Sequence, residues 1–117
     1  MRGTTNKRRI KIMYINSKEK DGFELKLYFE PEYSPIDWDF ESEDQERELH
    51  DKIESGELLY FCAKVTASKN GIELGVDYLG GCVFEGETDF MDSDGYYNYM
   101  CEQAISEAKT AIKLLTA

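Results

Sequence analysis

The chain has 117 residues but only one histidine, one tryptophan, two prolines and three cysteines. It also lacks any apolar run approaching the roughly 18–20 residues that a membrane-spanning helix needs. Each scarcity excludes something. A nucleophile paired with a base needs a base, and the single imidazole, His50, stands among Glu46, Glu48, Asp51 and Glu54, where a solvated side chain is the plain reading. No catalytic residue is therefore assigned. The cysteines Cys62, Cys82 and Cys101 are odd in number, lie 20 and 19 residues apart, and form no C-x-x-C pair. That is neither a disulfide framework nor a zinc pattern. It fits free thiols buried as small hydrophobes in a reducing cytoplasm. The opening MRGTTNKRRIKIMYIN is basic but has no uninterrupted apolar segment, so no secretory signal is expected. Gly80-Gly81 has no accompanying lysine and precedes no helix, which argues against a phosphate loop. No cofactor is implied.

What the chain has in abundance is negative charge. There are 24 Asp and Glu against 14 Lys and Arg, a net of −10. Residues 1–20 hold seven bases and one acid, while residues 21–117 hold seven bases and 23 acids. Between residues 30 and 57 twelve acids face only Arg47 and Lys52. A body this acidic repels phosphates, so direct nucleic-acid binding is disfavoured. At 41% hydrophobic and 13% aromatic the chain can still build a core, and its length suits one domain. We expect a flexible basic N-terminus over residues 1–8 and a single α+β domain over 9–117. Lys7, Arg8, Arg9 and Lys11 would flank a strand or pair with acids in an oligomer; a nucleic-acid-contacting arm is the alternative.

Hydrophobic periodicity outlines the elements. Ile10, Ile12 and Tyr14 alternate with polar neighbours, a strand signal, and Phe23, Leu25, Leu27 and Phe29 do so more clearly after the Lys20-Asp21-Gly22 turn. Ser42 with Gln45 three residues later resembles a capping box, acids follow in the first turn, and Gly56 can end a helix over about 43–54. Its apolar side is only Leu49 and Ile53, so it should lie on the surface. LLYFCAKV (58–65) reads as a central strand; placed at an edge instead, it could pair across a two-fold axis, so monomer and homodimer both stay open. Asn70-Gly71 marks a hairpin. Ile72, Leu74, Val76 and Tyr78 then alternate with Glu73, Gly75, Asp77 and Leu79, and the strand runs on to Phe84. Adjacent glycines within it, Gly80-Gly81, suggest a bulge where another group comes close. Tyr97, Met100, Cys101, Ala104, Ile105, Ala108, Ala111, Ile112 and Leu115 recur at helical steps. The expected fold is a four-stranded antiparallel sheet in β-β-α-β-β-α order, with the long C-terminal helix packed on one face.

Two acidic segments bear on function. In FMDSDGYYN, aligning Gly95 with the glycine of a calcium loop places Asp92 and Asp94 at two ligand positions but Phe90 and Cys101 at two others, so a turn and helix cap is preferred and no metal is assigned. In PIDWDFESED, Asp37, Asp39, Glu41 and Glu43 alternate with Trp38 and Phe40. In extended chain, residues two apart lie about 6.6 Å apart on one face, so carboxylates form a row. Asp44 and Glu46 continue the charge onto the helix. Such a row approximates a nucleic-acid backbone in sign and regularity, though more sparsely. The competing reading is a solvated acidic face, with Trp38 a lid on the core rather than an interface anchor.

The stretches DWDFESEDQERELHDKIESGE and EGETDFMDSD, on a small α+β chain, resemble the acidic proteins encoded by phages and mobile elements that inhibit bacterial defence complexes, the anti-CRISPR and anti-restriction group. GELLYFCAKVTASKNGIELGVDYLGGCVFE is similar to small phage proteins. That group has no common signature, so the resemblance carries over no catalytic residue. It implies a non-enzymatic inhibitor, acting in the host cytoplasm, that occupies a basic surface otherwise holding guide RNA or target DNA. Asp37, Trp38, Asp39, Glu41, Glu43, Asp44 and Glu46 are the expected contact residues. The alternatives are an immunity or antitoxin protein for a basic toxin, and a small ligand-binding domain with an apolar pocket lined by Tyr78, Phe84 and Tyr97.

Overall fold

The computed structural model describes residues 12–34, 36, 40–92 and 95–116. Four strands, β1 (Met13–Lys20), β2 (Phe23–Pro31), β3 (Leu59–Lys69) and β4 (Ile72–Phe84), form one antiparallel sheet in sequence order. Helix α1 (Glu43–Ser55) connects β2 to β3, and α2 (Glu87–Asp92) and α3 (Tyr96–Thr116) follow β4. This is the expected α+β architecture, with α2 as an extra short helix inside the second acidic block. The two hairpin turns are local in origin. Asp21-Gly22 and Asn70-Gly71 have positive φ at both central positions (54° and 81°, 53° and 79°), the turn whose twist matches the flanking strands.

The core lies between one sheet face and α3. Phe23, Leu25, Leu27 and Phe29 of β2 and Phe61, Ala63, Val65 and Ala67 of β3 are buried there, opposite Tyr97, Met100, Cys101, Ala104, Ile105 and Ala108 of α3. Phe29 and Phe61 stack with ring centres 3.8 Å apart. Phe90, from α2, meets them edge-on at 5.6 Å each and Phe84 at 5.1 Å. Two helical turns cannot sustain themselves. Burial of Phe90, contributing about 1.5–3 kcal/mol, is what holds α2 in place.

The seating of α3 is set by β4. A Cβ at Gly75 would overlap the Ala104 carbonyl oxygen and stand 2.8 Å from the Ala108 backbone nitrogen. The helix backbone therefore rests directly on the strand, which only glycine below and alanines above allow. Glu107 Oε1 accepts the Val76 N–H at 3.2 Å, covering one open donor of an edge strand.

Two expectations are corrected. In β1 the apolar phase is reversed. A bulge between Tyr14 and Asn16 leaves Met13 and Ile15 packed against the core, whereas Ile12 and Tyr14 are exposed and Ile10 lies outside the described residues. In β4 it is Gly75, Asp77 and Leu79 that share the helix side with Ala67, Val65 and Ala63. Ile72 and Tyr78 are exposed: Tyr78 shares the open face with Lys64, whereas Leu74, at the register shift opposite Ala67 and Ser68, packs against the core. LLYFCAKV enters β3 as the central strand it reads as, bonded by β2 and β4, so only the alternative of an edge pairing across a two-fold axis is overturned. The thiols are free, and burial pushes Cys82 up to about 11.

Two measurements check this packing. Gly75→Ala should lower unfolding free energy by about 3 kcal/mol, the upper range for overpacking, in denaturant titration. Asp77 lies half-buried on the helix side; burial raises its pKa, with Glu107 adding to the rise and a backbone hydrogen bond at Tyr78 opposing it. The folded protein thus holds this proton more tightly than the unfolded chain does. The contribution is fully favourable below the ordinary aspartate range and is lost as pH rises through the raised value. Asp77→Asn should therefore raise the melting temperature at neutral pH, with the gain vanishing on acidification.

Candidate functional site

Helix α1 carries the acidic surface, and its local sequence explains why it forms. Ser42 is extended, and its side-chain oxygen accepts the Gln45 N–H at 3.2 Å. Gln45 reaches back to accept the Glu41 N–H at 3.0 Å. Glu43, Asp44 and Glu46 occupy the first turn, where the helix dipole favours negative charge. At the other end Gly56 is left-handed at φ 89°, and the N–H groups of Gly56 and Leu58 reach the carbonyls of Ile53 and Lys52. With both ends capped, α1 nonetheless buries none of its residues.

Of the residues singled out from the sequence, Asp37, Trp38 and Asp39 lie outside the described residues. Glu41, Glu43, Asp44 and Glu46 are all exposed at the start of α1. At about 100° per residue, the six acids of α1 cover roughly 200° of its circumference, leaving Leu49 and Ile53 a narrow, half-covered strip. The two bases are spent within the helix. Arg47 Nη1 lies 2.8 Å from Asp44 and Lys52 Nζ 3.3 Å from Glu48, so Asp44 is a weaker external contact than its position suggests. His50 Nε2 is 3.9 Å from Glu46 and adds attraction only when protonated. Exposed pairs of this kind are worth about 0.3–0.5 kcal/mol each, and the helix keeps a formal charge of −4.

The connection into α1 is tied to the sheet. Glu32 Oε1 accepts the Gly81 N–H at 2.7 Å, across β3, and the Tyr60 hydroxyl donates to the Ser34 carbonyl at 2.7 Å. Gly80 makes this possible, because a Cβ there would stand 2.9 Å from Glu32 Oε1. The close approach inferred from the paired glycines is thus made by Glu32, a residue that sequence reasoning missed. The only signal was the glycine pair, which marks a visitor without naming it. Burial raises the Tyr60 hydroxyl and the Cys62 thiol, and Glu32 adds to both, so neither is activated as a nucleophile.

Other chemistry finds no support in this arrangement. Asp92 closes α2, and the Gly95 carbonyl accepts the Tyr99 N–H at 2.9 Å as α3 begins; Asp94 lies outside the described residues. Among the described residues no three His, Cys, Asp or Glu side chains are grouped to hold a metal ion, and no helix is long and apolar enough to cross a membrane. The ligand-pocket alternative fails on placement. Tyr78 shares a face with Lys64, on the side of the sheet opposite Phe84, which packs against Phe61 and Phe90, and Tyr97, which is in the core. An open groove of about 520 Å³ lies between the β1–β2 turn and α3, lined by residues including Lys20, Lys109 and Lys113. Asp21 and Glu102 line it too, and Lys109 lies 3.9 Å from Asp21, so acids partly offset the lysines there.

In comparisons with known proteins, no family, curated relative or solved structure matches this chain.

Because α1 buries none of its residues, its loss should leave the sheet folded. Ser42→Ala should cost about 1 kcal/mol of local helix stability, seen as faster amide hydrogen exchange from Gln45 to Ser55. The melting temperature of the sheet should not move.

Proposed function

We propose that this protein is a non-enzymatic inhibitor that binds a nucleic-acid-handling bacterial defence protein, anti-CRISPR-like in mode, by offering α1 and the acidic segment before it to a basic nucleic-acid-binding surface. The observation that carries the reading is that α1 is built and capped at both ends yet gives no residue to the core. A helix with that composition contributes little to folding, while its carboxylates suit lysine and arginine on a partner. Charge-assisted pairs with arginine orient as well as attract. Association through them is fast and weakens with salt. The resemblance in size, fold pattern and acidity to small phage-encoded inhibitors points the same way.

The test is phage restriction in bacteria that each carry one CRISPR or restriction system. Expression of the chain should restore plaque formation by a targeted phage in at least one strain. The E41Q/E43Q/E46Q variant, which leaves Ser42 and Gln45 in place, should reduce that restoration at least tenfold. Restoration undiminished in the variant would overturn the acidic-surface mechanism. Protection against a co-expressed basic toxin, without restoration in any strain, would turn the assignment to an immunity protein.

A further inference from the structure

The sheet has a second face. Its only buried described residue is Thr66, and no described helix is buried against it. Register aligns its side chains in rows across the strands. Tyr14 pairs with Tyr28, Tyr28 with Lys64, and Lys64 with Tyr78, so three tyrosines and one lysine cross all four strands. Tyr14 is 58% exposed and Tyr78 54%, although neither would lose core packing if it were polar. Closer to the hairpin turns, Glu19, Glu24 and Glu73 form a parallel row through Ser68. On the other side of the tyrosines lies Glu30, next along β2 on this face. The tyrosine row is therefore bracketed by carboxylates.

The row already holds one cation. Lys64 Nζ sits 5.9 Å and 5.7 Å from the ring centres of Tyr28 and Tyr78 and 3.6 Å from Glu30. Burial alone would lower its pKa, but Tyr78, Glu30 and Glu73 outweigh burial and raise it. Lys64 is thus neutralised by Glu30 and fixes the neighbouring rings. Tyr14, tilted against Tyr28 at 5.9 Å, keeps its outer surface open.

We propose that this face is a docking surface for an arginine-bearing protein segment, whose guanidinium groups stack on Tyr14 and Tyr78 and pair with the flanking glutamates. Charge complementarity and ring geometry together favour that occupant. Among the described residues, Glu19, Glu24, Glu30, Glu32 and Glu73 outnumber Lys26 and Lys64 on this side, and Lys26 is itself within 3.8 Å of Glu24. Both ammonium and guanidinium are attracted to ring faces, but the planar, more weakly hydrated guanidinium also stacks on them, and tyrosine is favoured at interface centres. A nucleic-acid strand would also stack on such rings, but the bracketing carboxylates oppose its phosphates. The inference rests on the proposed binding of a basic partner and adds which cation that partner presents.

The test uses the full chain and two labelled peptides, nona-arginine and nona-lysine, titrated at physiological salt. Nona-arginine should bind at least about threefold more tightly than nona-lysine, the margin coming from stacking and weaker hydration at two rings rather than from cation–π attraction that both cations have. Y14A/Y78A should bring that ratio close to one, with the larger loss for nona-arginine, and Y14F/Y78F should keep it. A ratio near one in the parent, a ratio that survives Y14A/Y78A, or tyrosine-dependent binding of oligothymidine would overturn the inference. E41Q/E43Q/E46Q separates the two readings: it should weaken both peptides equally. Weakening without any arginine preference removes the sheet-face inference alone. An intact arginine preference that ignores the α1 variant removes the α1 reading alone.

Discussion

The contact of Gly75 with Ala104 and Ala108 governs the body of the molecule. Because backbone meets backbone there, α3 sits as close to the sheet as a helix can. Every other core side chain is then sized to the gap that remains. Ala63 and Ala67 on β3 are small near the crossing, while Phe29 and Phe61 fill the widening wedge toward α2, where Phe90 closes it. The same closeness brings Glu107 to the edge of β4. One position without a side chain thereby settles helix height, core volume and edge protection together.

This tight body contrasts with what projects from it. Helix α1, with a formal charge of −4, gives no residue to the core, and the sheet face away from α3 carries rings in rows rather than a covering layer. Both surfaces are held from beneath. Capping bonds at Ser42 and Gly56 define α1, and the Lys64–Glu30 pair fixes the tyrosines. A binding protein gains from such a division, since rigid support lowers the entropy lost when a partner docks.

Much of this was legible before any coordinates. β2 announces itself because a helix-covered sheet face demands strict alternation, and Phe23, Leu25, Leu27 and Phe29 supply it. The caps of α1, both glycine turns and the stripe of α3 are short-range signals and survive into the structure. The phases of β1 and β4 were not legible. Tyrosine and valine count as apolar in a periodicity, yet Tyr14, Val76 and Tyr78 occupy the uncovered face, and glycine hides the one position that matters most on β4. α2 was hidden by its length, with a single anchor in an acidic segment. Of the candidate site, the charge of α1 could be read directly. The pairing of Asp44 with Arg47 needed helix geometry, and the partnership of Glu32 with Gly81, 49 residues apart, has no local signature.

That last partnership links distant parts of the chain. The bulge at Gly80-Gly81 turns an N–H toward Glu32, and Glu32 lies one residue beyond the end of β2, on the path into α1. Sequence drift at position 80 would therefore be felt first by the acidic arm and hardly at all by the hydrophobic interior. A lineage could thus change how its charged helix is carried by altering a glycine in the last strand, without disturbing the foundation that keeps the protein folded.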